Sequence, residues 1–265
     1  MSICLITGSH PRHLFLAREL IRTGTVCAWI MEEREAFVPE PPPGLAPDLA
    51  GLFNHHFAER DRIEQLVFTR AGGPDKTPDF VVGTSGLNDP ETIAFARNSG
   101  PQLVVSYGCS KLSEGFLRTV GCRFWNVHGG LSPDYRGVAT HFWPSYFLEP
   151  QMTGVTLHET TDFLDSGALI LTTSAPMTRG DSLHRLAARN IEHFAEVFCR
   201  SVRGLDFASL PDGKPQKKYG KAFLSGDWRP EHLRLIYEVH DDRIVDHVLD
   251  GKLTGRVPRL MSVLD

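Results

Sequence analysis

The amino-acid sequence predicts an α/β protein built on a doubly wound, mostly parallel sheet, and three observations carry that prediction. Short apolar runs alternate with helix-patterned segments from residue 3 to residue 127. The links between several of them are only a few residues long, as parallel strand–helix–strand units require. The residues richest in chemistry, Tyr107-Gly108 and Asn126-Val127-His128, fall where strands end. Open parallel sheets bind their ligands at the carboxyl ends of strands.

Ile3 to Thr7 reads as a buried strand, and Val26 to Met31 as a second. Between them Leu14, Ala17, Leu20 and Ile21 stand at helical spacing. The turn from Gly8 to His13 lacks the Gly-x-Gly-x-x-Gly spacing, so no dinucleotide site is expected there. It carries His10, Arg12 and His13, which suit either a solvated turn or contact with an anionic part of a substrate such as a diphosphate.

From Glu32 to Leu52 the rhythm breaks, because Pro39, Pro41, Pro42, Pro43 and Pro47 exclude regular structure. A polar, mainly helical stretch follows, from Asn54 to Thr69. Its His55-His56 pair suggests no metal site. Adjacent helical residues do not share a face, and no Cys, Asp or Glu accompanies them at ligand spacing.

Phe80 to Val82 is a short strand, and Asn88-Asp89-Pro90-Glu91 opens a helix with a cap residue and then proline. Leu103 to Tyr107 is a central strand, Lys111 to Val120 a helix, and Phe124 to Val127 the strand bearing Asn126. Thr153 to His158 and Ala168 to Thr173 read as two further strands. Asp181 caps a helix from Ser182 to about Val202, whose buried stripe holds Leu183, Leu186, Ala187, Ile191, Phe194 and Phe198.

Residues 1–204 thus form one Rossmann-like domain. Residues 205–265 form a small C-terminal extension, too short for a sizeable core of its own. It is expected to be helical over Pro230–Glu238 and Arg243–Leu249. It packs on the main domain, caps the substrate pocket or forms a homodimer contact. Lys217-Lys218 reads as a solvated face.

Composition narrows the function. With 28 Lys and Arg against 32 Asp and Glu, the formal net charge is −4, which argues against a nucleic-acid backbone as main partner. No apolar run approaches the ~18 residues of a membrane span, and the start of the chain does not resemble a signal peptide. Five cysteines, an odd number with no Cys-x-x-Cys pair, suit buried reduced thiols. A cytoplasmic protein is expected.

The stretch Asn126-Val127-His128-Gly129-Gly130-Leu131-Ser132-Pro133-Asp134-Tyr135-Arg136-Gly137 concentrates the chemistry. Residues i and i+2 of a strand point to one side, so Asn126 and His128 converge. An amide donor beside an imidazole can hold an oxyanion and manage a proton. Asp165 lies on the polar loop between the last two strands, where it can orient the histidine or order a water. The segment from His141 to Phe147 is aromatic-rich and reads as packing beneath this site, or as a stacking surface for a base or sugar ring.

These residues resemble the 10-formyltetrahydrofolate-dependent formyltransferases. That family carries an Asn-x-His pair, a Pro-x-Tyr-Arg-Gly turn, a Thr-Gly-Val-Thr strand and a Leu-Asp-(Ser/Thr)-Gly loop. Here they stand as Asn126/His128, Pro133–Gly137, Thr153–Thr156 and Leu164–Gly167, in that order. The resemblance covers residues 80–200 well and 1–80 loosely. It departs at Gly129-Gly130 and Ser132, where many members have Pro-Ser and Leu.

The resemblance implies the formyltransferase fold, a 10-formyltetrahydrofolate co-substrate, no metal, and an amine acceptor. It implies that Asn126, His128 and Asp165 are the catalytic triplet. Asn126 would hydrogen-bond the formyl oxygen, His128 would stabilise it or shuttle a proton, and Asp165 would set the histidine's state and accept the amine proton, directly or through water. It implies folate contacts from Leu103, Ser106, Tyr107 and Gly108 and from the loop holding Thr161 and Asp162. His10, Arg12, Tyr135 and Arg136 are the candidate substrate contacts, although Arg136 also suits tying down carbonyls of its own turn. The preferred acceptor is a nucleotide-linked amino sugar, since the larger basic C-terminal domain of the tRNA-dependent branch is not recognisable. A hydroxyornithine, glycinamide ribonucleotide, a formyl-folate hydrolase on the same scaffold and a silent folate-binding module are the alternatives.

Overall fold

A computed structural model describes residues 2–34, 36–69, 76–216 and 220–264. Lys217 and Lys218 lie outside the described residues. Five strands form the parallel part of a seven-stranded sheet: β1 (Ile3–Gly8), β2 (Val26–Glu32), β3 (Phe80–Val82), β4 (Leu103–Tyr107) and β5 (Arg123–His128). Two more, β7 (Val155–Glu159) and β8 (Leu169–Thr173), extend it antiparallel beyond β5, in the order β3-β2-β1-β4-β5-β7-β8. The sheet is wound outward from β1 to β3 and then from β4 to β8. The direction therefore reverses between β1 and β4, and a crevice opens outside their carboxyl ends.

The sheet is covered on both faces. Helices α1 (Pro11–Ile21), α2 (Pro47–Phe68) and α6 (Leu183–Val202) pack together on one side, over a core that includes Leu5, Leu20, Trp29, Trp125, Phe194 and Phe198. Helices α3 (Pro90–Asn98) and α4 (Glu114–Val120) cover the other, over Cys4, Ile6, Ile30, Val104 and Phe116. Leu5 and Ile6 are both fully buried, and they belong to these two different cores. Strands buried on both faces read as continuous apolar runs because neither face is left to water.

A second, two-stranded sheet pairs β6 (Tyr135–Gly137) in parallel with β9 (Lys221–Phe223). A third apolar cluster there gathers Tyr135, Phe142, Trp143, Phe223, Leu233 and Ile236, with α5 (Trp143–Tyr146) on its rim. Phe142 and Trp143 are thus core, consistent with a packing role for the aromatic segment. The chain after α6 continues through irregular turns, a π-helical turn at Leu235–Val239 and α7 (Ile244–Leu249).

The proline-rich stretch ends earlier than the sequence suggests. α2 starts at Pro47, not beyond Leu52, because a proline at the first helical position loses no hydrogen bond and already has helical φ. Similarly, Ser182 and not Asp181 caps α6, its hydroxyl accepting from the Arg185 amide at 3.2 Å. Asp181 binds the Thr178 amide and Arg189 instead. All five cysteines are free thiols. Among the described residues no helix is long and apolar enough to cross a membrane.

Candidate active site

Strand register assembles the polar cluster. On β5, Asn126 pairs laterally with Ser106 of β4 and with His158 of β7, while His128 pairs with Thr156. The Ser106 hydroxyl donates to Asn126 Oδ1 at 2.9 Å. With its oxygen engaged, the Asn126 amide presents its NH₂ group, and Nδ2 lies 3.3 Å from His158 Nε2.

Asp165 closes the cluster from the loop between β7 and β8. Its Oδ2 accepts from the Gly137 amide at 2.7 Å and lies 3.4 Å from His128 Nδ1. Its Oδ1 lies 3.4 Å from His158 Nε2. Asp165 adopts φ +44°, a left-handed conformation uncommon outside glycine, so the surroundings hold this residue in place. Gln216 reinforces that hold: its side-chain amide donates to the carbonyls of Asp165 at 3.0 Å and Gly167 at 2.7 Å.

Electrostatics then separates the charges. Burial alone would raise the Asp165 pKa, but His128, His158 and the Gly137 amide hold it down at about 2. Burial keeps His128 below the ordinary imidazole value, against the upward pull of Asp165 and of the Tyr135 carbonyl. His128 Nε2 lies 2.8 Å from that carbonyl oxygen, so both ring nitrogens face acceptors. A neutral imidazole has one N–H and satisfies one of them. A second proton would satisfy both, so the ring is poised to receive one.

Two glycines explain the local sequence. A side chain at Gly130 would meet His128 Nε2 at 2.6 Å and the Tyr135 carbonyl oxygen at 2.7 Å. At Gly137, φ +93°, a Cβ would stand 2.0 Å from the Phe223 carbonyl oxygen of β9. Gly130 is therefore small because the imidazole and its acceptor occupy that space.

Beside this cluster lies a cavity of about 600 Å³ at the β1/β4 crevice. Gly108, Gly129 and Gly137–His141 line its catalytic end, and His10, Arg12, His13, Arg60 and Glu64 its far end. His10, Arg12, Tyr107 and Gly108 thus reach one hollow. Other candidates are placed differently. Leu103 is fully buried in the core at the amino end of β4, opposite the carboxyl ends where the cavity opens, so it does not reach a ligand there. Tyr135 is 2% exposed, with its hydroxyl on Glu149 and its carbonyl facing His128, and it walls the cluster. Arg136 donates to the carbonyls of Gly220 and Leu164, at 3.2 and 3.4 Å, and ties down the turn. Thr161 and Asp162 are exposed on the loop, where the Asp162 carbonyl accepts from Lys111 Nζ at 2.9 Å.

The sequence does not single out His158. Its signal was available, since it shares a strand face with Thr156, but only the antiparallel register against Asn126 places it beside Asp165.

The family model described as formyl transferase matches residues 47–202, more than half of the chain. The chain belongs to the formyl transferase family. Methionyl-tRNA formyltransferase of Synechocystis sp. is 32% identical over 158 residues, which are 57% of this chain and 47% of that protein. Phosphoribosylglycinamide formyltransferase of Escherichia coli is 31% identical over 145 residues, 54% of this chain and 65% of that one. The chain therefore spans about half to two thirds of the lengths of these family members. Among solved structures, the formyltransferase PseJ from Anoxybacillus kamchatkensis, crystallised with UDP-4,6-dideoxy-4-formamido-L-AltNAc and tetrahydrofolate, superposes with a TM-score of 0.51. The alignment covers 92% of this chain and 96% of that one at 16% identity, a likeness of fold. The mixed, mostly parallel sheet is the formyl transferase arrangement.

Proposed function

We propose that this protein transfers a formyl group from 10-formyltetrahydrofolate to the amine of a small-molecule acceptor. The observation that carries the reading is Asp165, ionised and flanked by His128 and His158, beside an Asn126 amide whose orientation Ser106 fixes. Family membership supplies the reaction class.

The residues present fit a folate. The Thr160 hydroxyl oxygen is buried with no hydrogen-bond partner, and the loop from Thr161 to Leu164 after it is exposed. That loop, with Lys111 bonded to its Asp162 carbonyl, would hold the pterin. The folate supplies the formyl carbon. Asn126 Nδ2 donates to the formyl oxygen as negative charge develops there, a contribution typically of about 3 kcal/mol. His128 would take the proton that the attacking amine gives up as its nitrogen bonds to the formyl carbon, satisfy both of its acceptors, and return the proton to the folate nitrogen as the bond from that nitrogen to the formyl carbon breaks. Asp165 stays ionised and stabilises that imidazolium. Ser106, expected as a folate contact, acts in this scheme through Asn126.

The amine enters from the 600 Å³ cavity, whose catalytic end is built by the turns around Gly129 and Gly137. A nucleotide-linked amino sugar is the acceptor we favour, because Arg12, Arg34 and Arg60 line the cavity and suit phosphoryl oxygens. The deciding experiment offers a panel of amines with 10-formyltetrahydrofolate and reads a mass gain of one formyl group. Formate release with no amine present would replace the transferase reading with a hydrolase. No turnover of the folate under any condition would discard both.

A further inference from the structure

The imidazole of His141 stands at the catalytic end of the cavity and has no part in the scheme above. Its segment is tied to the turn after β5, where the Thr140 hydroxyl donates to the Gly129 carbonyl. The ring lies against Gly129, and a Cβ there would stand 3.2 Å from His141 Nε2. A Cβ at Gly130 would meet His128 Nε2 at 2.6 Å and the Thr140 Cβ at 2.7 Å. Two imidazoles therefore flank one pair of glycines, at positions where this chain departs from many family members.

The two rings differ in their surroundings. His141 Nε2 lies 3.1 Å from the Gly154 carbonyl oxygen, which can only accept. The ring proton is therefore on Nε2, and Nδ1 carries a lone pair. Among the described residues Nδ1 has no partner, and it is open to the hollow that His141 lines. Burial, Arg12 and His128 hold the His141 pKa down at about 3, against the Gly154 carbonyl, which pulls it up. His128, by contrast, has an acceptor at each nitrogen, Asp165 at one and the Tyr135 carbonyl at the other. A proton released beside these rings goes to His128. His141 stays neutral near neutral pH, in one tautomer, with one lone pair to offer.

We infer that His141 Nδ1 accepts an N–H of the acceptor amine and so turns the amine's lone pair toward the formyl carbon. This deepens the formyl-transfer reading above and rests on it. An attacking primary amine has two hydrogens and one lone pair. One hydrogen is the proton that His128 takes as the nitrogen bonds to the formyl carbon. The other stays on the nitrogen, bonded to His141, and remains in the product amide. His141 neither gains nor loses a proton. It holds the nucleophile in the orientation for attack, which an amine free to rotate lacks. An amine whose second hydrogen is replaced by a methyl group forfeits this hold.

One test needs no substrate. In protein labelled with nitrogen-15 histidine, the His141 signals are identified by their loss in His141→Phe. They should show a ring protonated at Nε2 alone from about pH 8 to about pH 5. A proton on Nδ1 in that range overturns the inference, because no lone pair would be left for the amine. The other test uses turnover. A UDP-linked 4-amino-4,6-dideoxy sugar, glycinamide ribonucleotide and ornithine are offered with 10-formyltetrahydrofolate. The one that gains a formyl group is compared with its N-methyl derivative. His141→Phe should lower kcat/KM for the primary amine about fivefold or more, the measure of one neutral hydrogen bond. It should leave the N-methyl derivative near its native rate and the affinity for tetrahydrofolate unchanged. His141→Gln, whose amide has both a donor and an acceptor, should restore part of the loss. A structural role would lower both amines alike and weaken folate binding, and that result overturns the inference. If the native protein formylates no amine, the reading beneath the inference falls. If it does and His141→Phe loses nothing, the inference falls alone. Should His141→Phe not fold, His141→Gln assigns the signals and the native tautomer decides.

Discussion

The two ends of the cavity are built by different means. At the catalytic end, strand register fixes Ser106, Asn126 and His158 side by side, and the Asp165 carboxylate is met by an amide and two imidazoles. At the far end, helices α1 and α2 bring together charged residues, and the Arg12 guanidinium meets the Glu64 carboxylate. A reaction shared by many substrates calls for fixed geometry, which paired strands supply. Side chains that meet across two helices depend instead on how those helices pack.

Several substitutions test that division. The largest effect is expected from His128→Ala and Asp165→Asn, which should each lower turnover by about 100-fold or more while circular dichroism and melting temperature stay near native. Near-normal rates in both would break the distinction. Gly137→Ala should combine a lower melting temperature with lost activity. Its Cβ would collide with the Phe223 carbonyl, and its φ of +93° strains any side chain, at a cost of about 1–3 kcal/mol or more. An unchanged melt would show that β6 and β9 yield freely.

Ser106→Ala should be milder. Losing the hydrogen bond that orients Asn126 costs about 1 kcal/mol, or roughly five-fold in kcat, with the acceptor KM unchanged. A change confined to the acceptor KM would reassign Ser106 to binding. The smallest effect concerns pH. The form of His128 that can take a proton is neutral, and its pKa lies below the ordinary value, so the acid limb of kcat/KM should fall below about pH 6.5. Asp165 raises that pKa, so in Asp165→Asn the residual activity should show its limb at still lower pH. A limb that moves upward would refute the pairing.

The catalytic end was far more readable in the sequence than the far end. Asn126 and His128 declare a shared face by their spacing alone, and Asp165 sits before a glycine between two recognisable strands. His158 escaped because its neighbour depends on which strand pairs with β5, and spacing within one strand does not encode that. The far end lies on α1 and α2, and helix patterning says which face is buried but not what that face opposes. Leu103 was assigned to the site by belonging to the right strand, when it stands at the wrong end of it.

The hold on Asp165 comes partly from beyond α6. Gln216 grips the backbone on either side of Ser166, and β9 fixes the turn whose Gly137 amide supports the carboxylate. The last sixty or so residues therefore act as a brace across a joint that the sheet itself cannot close. Shortening the protein at the end of its long helix would uncover β8, whose Ile170 and Thr172 bond to Val263 and Met261, and would leave the Asp165 carboxylate without its brace.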